Sequence, residues 1–130
     1  MNLSKILLVE DDPDIQKVVR MSLKLRGIKD ITVVENGEEC LAVVGQVQPD
    51  VILLDVMMPK MDGYETCRRL KANPDTRGYP IIFLTAKAQQ FEIKRGIQEG
   101  AIGYLTKPFD PMTLHEQIVA MLKQNAEKKP

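Results

Sequence analysis

Five short runs of aliphatic residues punctuate the chain, at Ile6 to Val9, Ile31 to Val34, Val51 to Leu54, Ile81 to Leu84 and Ile102 to Leu105. Each has the length of a strand and is nearly continuous in apolar character, as a strand covered on both faces must be. Between the runs the periodicity changes. Ile15, Val18, Val19, Ser22 and Leu25 follow the i, i+3, i+4 spacing that lays one stripe of a helix against a core. Strand and helix alternate five times. Apolar strands joined by helical crossovers predict a parallel sheet with helices on both sides, a doubly wound, three-layer (βα)5 α/β sandwich.

Helix starts are written plainly, and they account for several acidic residues. Asp12 precedes Pro13 and Asp110 precedes Pro111, with an N-cap oxygen placed to accept from free amides and proline filling the first helical position. Asn36 with Glu39, and Asp62 with Glu65, have the three-residue offset of a capping box. Four of the five helices are thus expected to be capped. The fourth, expected from about Gln89 to Glu99, opens on "AKAQQ" without such a residue and is expected to be less firmly anchored.

The 130 residues suit one domain, expected to span residues 1–124, with "NAEKKP" at the C-terminal end reading as a tail or the start of a linker over 125–130. Eighteen basic and eighteen acidic residues balance to zero, which argues against a broad surface for gripping nucleic acid phosphates. The apolar runs are too short to cross a bilayer and no secretory signal opens the chain, so a cytoplasmic location is expected. Cys40 and Cys67 lack metal-binding spacing and read as reduced, packing thiols.

With the caps set aside, polar groups remain at four strand ends: Glu10 and Asp11 after the first, Asp55 at the third, Thr85 at the fourth, and Lys107 after the fifth. A parallel sheet brings all of these to one edge, the edge where such folds bind ligands. Unit charges about 4 Å apart repel by roughly 4 kcal/mol at an effective dielectric near 20, so three clustered acids call for compensation. Magnesium, which takes oxygen ligands and shares its remaining positions with water and phosphoryl oxygens, suits them. A carboxylate beside a bound dication, a lysine and a threonine form a set able to produce an acyl phosphate.

The segments "ILLVEDDPDI", "VILLDVMMPKMDG", "IIFLTA" and "GYLTKPF", in this order, resemble the receiver domain of the response-regulator family over essentially the whole chain. The resemblance implies a chemotaxis-regulator-like fold with strand order 2-1-3-4-5, and Asp55 as phosphoacceptor. It further implies that Glu10, Asp11, Asp55 and the backbone carbonyl of Met57 hold Mg2+, and that Thr85 and Lys107 contact the phosphoryl group. The Lys107 to Pro108 bond is expected to be cis. Thr85 and Tyr104 are the implied switch pair, reshaping a surface of the fourth helix, fifth strand and fifth helix. Two departures stand out: Ile102 and Gly103 replace a frequent pair of acids, and Lys60 sits where glycine is common.

The implied partners are a sensor histidine kinase or a histidine phosphotransfer protein upstream. Downstream stands a protein target or an effector domain outside this sequence, with no direct nucleic acid binding by this domain and no membrane. The implied role is that of a switch rather than an enzyme, although one that catalyses its own phosphorylation and slow dephosphorylation. Two other readings compete. A haloacid-dehalogenase-type aspartyl-phosphate phosphatase needs a second aspartate two residues after the nucleophile, where Met57 stands. An unphosphorylated pseudo-receiver would not need all the chemical positions filled. His115 reads as a partly exposed surface residue, and Met57, Met58 and Met61 as loop packing.

Overall fold

The computed structural model describes residues 3–58, 61–86 and 90–128. Lys60 and Gln89, both singled out in the sequence, lie outside them. In chain order the elements are β1 (Lys5–Val9), α1 (Pro13–Leu25), β2 (Asp30–Val34), α2 (Gly37–Val47), β3 (Val51–Asp55), α3 (Gly63–Ala72), β4 (Ile81–Thr85), α4 (Gln90–Gln98), β5 (Gly103–Thr106) and α5 (Leu114–Lys128). All strands are parallel, in the order β2-β1-β3-β4-β5. The strand order reverses beside β1, and this opens the crevice between the ends of β1 and β3.

The side-chain period of two sorts each central strand between two cores. From β1, Ile6 and Leu8 join Val19 and Leu23 of α1 and Leu114, Ile118 and Leu122 of α5. Leu7 and Val9 point the other way, to Cys40 and Val44 of α2 and Cys67 and Leu70 of α3. This explains why β3 reads as a continuous apolar run: every residue from Val51 to Asp55 is buried. Burial pushes the thiols of Cys40 and Cys67 up to about 12 and about 11, so both remain protonated packing groups. Among the described residues no helix is long and apolar enough to cross a membrane.

The caps differ in detail from the sequence expectation. Asp12 caps α1 by accepting from the Asp14 amide at 2.9 Å. Asn36 and Asp62 accept from the amides of Glu39 and Glu65, but neither box closes on itself. Glu39 returns to the amide of Glu35, one residue before the cap, and Glu65 instead pairs with Arg68 and Arg69. Asp110 does not stand at the helix boundary. Its carboxylate accepts from Met112 and its carbonyl from Thr113 and Leu114, so a tight turn precedes α5. At its other end α5 runs on past residue 124 to Lys128.

Gly63, the first residue of α3, lets this helix approach the end of β3. A Cβ there would lie 2.3 Å from the Asp55 carbonyl oxygen and 2.9 Å from the Val56 Cα, backbone atoms that cannot rotate away. Gly45, inside α2, has open space around its would-be Cβ. Gly63→Ala should therefore cost roughly 2 kcal/mol through overpacking, whereas Gly45→Ala should stabilise by about 1 kcal/mol through helix propensity. Urea denaturation of the two variants checks the opposite signs, and a harmless Gly63→Ala would contradict the close seating of α3.

Candidate functional site

Register alone brings the acids together. Val9 pairs with Leu54, so the residues that follow, Glu10 and Asp55, stand side by side at the strand ends. Asp55 in turn pairs with Leu84 and Thr85 with Thr106, which sets Thr85 and Lys107 at the same edge. Lys107 is fixed there through its backbone, its amide donating to the Thr85 carbonyl at 2.7 Å, and the Lys107 to Pro108 peptide is cis. Carboxylate oxygens of Glu10, Asp11 and Asp55 all lie within 4.8 Å of one another.

The three acids are not equivalent. Glu10 and Asp55 are only 1% and 4% exposed, while Asp11 faces solvent. The Lys107 ammonium bridges the buried two, 2.6 Å from Glu10 Oε1 and 3.1 Å from Asp55 Oδ1. Asp55 Oδ1 also accepts from the Met57 amide at 3.2 Å, and Glu10 Oε2 from the Asp12 amide at 3.2 Å. Glu10 Oε1 is buried with the Lys107 ammonium as its one close partner and no further donor among the described residues. This is where a hard cation fits. The donor set is all oxygen, its members converge, and one of them is buried without a full complement of donors.

Electrostatics report the same crowding. Burial pushes the Glu10 carboxyl up from its ordinary 4.5 to about 7, Lys107 pulls it back, and the neighbouring Asp55 adds to the rise. Burial works against the Lys107 ammonium, but Glu10 and Asp55 more than offset it and hold the lysine above its ordinary value. Repulsion is therefore concentrated between Glu10 and Asp55. Asp11, exposed and screened by solvent, carries less of it than an equal three-way cluster would imply.

Thr85 and Tyr104 border one small cavity of about 10 Å³ between α3, α4 and the sheet, together with Val56, Tyr64, Phe83 and Ile97. That is room for about one water molecule. Tyr104 is half-buried there and pairs in register with Phe83. The C-terminal end of α4 is held to α3: Arg68 pairs with Glu99 at 2.9 Å, the Cys67 thiol donates to the Glu99 carbonyl at 3.2 Å, and Arg95 lies 4.1 Å over the Tyr64 ring. Sequence reading passed over Tyr64 and Arg95, because a cation over a ring has no spacing signature across two helices.

With this geometry in place, the family model of the response regulator receiver domain matches residues 6–119. The chain belongs to this family. The receiver is 36% identical over 124 residues to the DNA-binding response regulator MtrA of Mycolicibacterium smegmatis, which covers 95% of this chain and 53% of that protein. The chain thus spans about half the length of the curated relatives it matches. A putative response regulator from Chloroflexus aurantiacus superposes with a TM-score of 0.86 at 31% identity, covering 94% of this chain and 99% of that one. The receiver domain of the sensor histidine kinase PA1611 from Pseudomonas aeruginosa, solved with magnesium coordinated in its active-site cleft, gives a TM-score of 0.82 at 34% identity, covering 94% and 99%.

Within the receiver, Met57 corrects one expectation. Its side chain is 80% exposed beside the acidic edge and packs no loop, whereas Met61 is buried and Met58 leans on the core. His115 is half-buried on α5, away from the strand ends.

The raised Glu10 value has a defined sign. Folding favours the protonated form, so the stabilisation associated with Glu10 is fully present below about pH 4.5 and is lost as pH rises to about 7. With metal chelated, the stability of the wild type relative to Glu10→Gln should fall between about pH 5 and about pH 8 by roughly 1 kcal/mol or more. Paired urea titrations at the two pH values check this. A difference that does not change with pH would mean that Glu10 titrates in the folded state as it does in water.

Proposed function

We propose that this receiver works as a phosphorylation-dependent switch in the cytoplasm, taking a phosphoryl group onto Asp55 from a phosphohistidine of a sensor histidine kinase or a histidine phosphotransfer protein. The observation that carries the reading is the setting of Asp55: a buried carboxylate at a strand end, with an ammonium at 3.1 Å and two further acids beside it. A merely structural aspartate would not need such neighbours. Exposed, apolar Met57 stands where a phosphatase of the dehalogenase type would carry its general acid, which weighs against turnover of external substrates.

Glu10, Asp11, Asp55 and the Met57 carbonyl are the residues to hold Mg2+, which when bound neutralises charge on the carboxylates and on the incoming phosphoryl oxygens. An Asp55 oxygen attacks phosphorus, the new O–P bond forms as the donor N–P bond breaks, and the imidazole leaves with the electron pair and takes a proton from water. Lys107 turns its charge from the two carboxylates to a phosphoryl oxygen. The Thr85 hydroxyl donates to another, and Tyr104 moves toward the space beside Thr85. The face of α4, β5 and α5 changes with it, and a protein target or an effector domain reads the change. The receiver catalyses its own phosphorylation and slow dephosphorylation, and it makes no direct contact with nucleic acid.

Incubation with several millimolar magnesium, a concentration of about the order needed to exceed the dissociation constant, and acetyl phosphate should add one phosphoryl group to the wild type. Asp55→Asn should receive none, and equal labelling of that variant would move the acceptor elsewhere. Lys107→Ala should keep the fold while losing the phosphorylation-dependent shifts of the Tyr104 resonances in NMR spectra, because the charge that reads the phosphoryl group is gone. Shifts equal to those of the wild type would remove Lys107 from the switch.

A further inference from the structure

The carboxylate of Asp11 is exposed, so packing does not aim it. Its direction is set by the backbone of the corner between β1 and α1, and this corner is tied by one side chain. The Gln16 side-chain amide donates to the Glu10 carbonyl at 2.6 Å. The Gln16 backbone amide donates to the Asp12 carbonyl at 3.0 Å, and the Asp12 amide to Glu10 Oε2 at 3.2 Å. The three bonds close a ring around Asp11, with Glu10 held on its backbone and side chain, Asp12 held at both backbone groups, and Gln16 serving as the brace. The two Gln16 bonds go to backbone carbonyls, of Glu10 and Asp12, and not to the acidic side chains.

We infer that Gln16 is a positioning residue for the metal site, its side-chain N–H fixing the peptide corner that presents Glu10 and Asp11 to the cation. The inference rests on the magnesium reading given under the proposed function. Groups that orient metal ligands without touching the metal change its affinity by roughly 10- to 100-fold when removed. Because Asp11 is held through its backbone alone, the lower end of that range applies.

Gln16→Met keeps the length of the side chain and removes the donor. Mg2+ titrations followed by the amide resonances of Asp11 and Asp12 should show affinity weakened roughly tenfold, with urea stability in chelator recorded on the same samples. A structural role alone would lower that stability and leave Mg2+ affinity untouched. Gln16→Arg places an Nε–H at the same depth as the glutamine amide. At about 1 M salt, where its added charge is screened over about 3 Å, it should recover most of the lost affinity. Affinity in Gln16→Met equal to that of the wild type, or a folded Gln16→Arg as weak as Gln16→Met, would overturn the inference. Failure of the wild type itself to bind Mg2+ would instead remove the metal reading beneath it.

Discussion

One ammonium group sits between two carboxylates that the sheet does not allow to separate. Parallel register sets Glu10 beside Asp55, burial strips both of water, and Lys107 reaches them at 2.6 and 3.1 Å. Buried like charges are tolerated only with compensation, and a single lysine compensates two acids incompletely. The raised Glu10 carboxyl records what is left over. Much of the remaining architecture serves to hold this imbalance in place: continuous aliphatic strands that resist slippage, a glycine that seats α3 behind Asp55, and a backbone bond from Lys107 to Thr85.

The same imbalance makes a switch physically reasonable. A lysine shared between two acids in the unphosphorylated state can be drawn to a third, more strongly charged group when a phosphoryl arrives. The residue tied to the lysine backbone is Thr85, and Thr85 borders the cavity that Tyr104 also borders. A charge change at the strand edge therefore has a short, contiguous route to the α4 and β5 face. The clasp between α3 and the end of α4, made by Arg68, Glu99, Arg95 and Tyr64, gives that face a defined starting position.

Much of this was legible in the sequence, for identifiable reasons. Strands buried on both faces write themselves as unbroken aliphatic runs, so all five matched to within a residue at either end. The fifth, read as Ile102 to Leu105, runs from Gly103 to Thr106. Polar residues at the ends of such runs are conspicuous, and topology then gathers them on one edge. What was not legible depended on side-chain direction. Met57 looked like packing because methionine usually packs, yet the turn after Asp55 points it to solvent. The unequal burial of Asp11 and Glu10, the bond from Gln16 to the Glu10 carbonyl and the stacking of Arg95 on Tyr64 arise from contacts that no spacing encodes. Asp110 followed the chemistry of a cap, but its acceptors were used by a turn that precedes the helix.

The central claim is that Lys107 and a divalent cation share the neutralisation of the buried acids. The most direct measurement is the unfolding free energy of Lys107→Ala against wild type, in chelator and again with excess magnesium. Without metal the variant should lose about 3 kcal/mol, the scale of stripping the partner from a buried charge pair. With magnesium the gap should shrink to less than half of that, because the cation takes over the work of the lysine and binds the native state alone. An equal loss in both conditions would mean that the lysine and the metal act on different groups, and the account of this edge would be wrong.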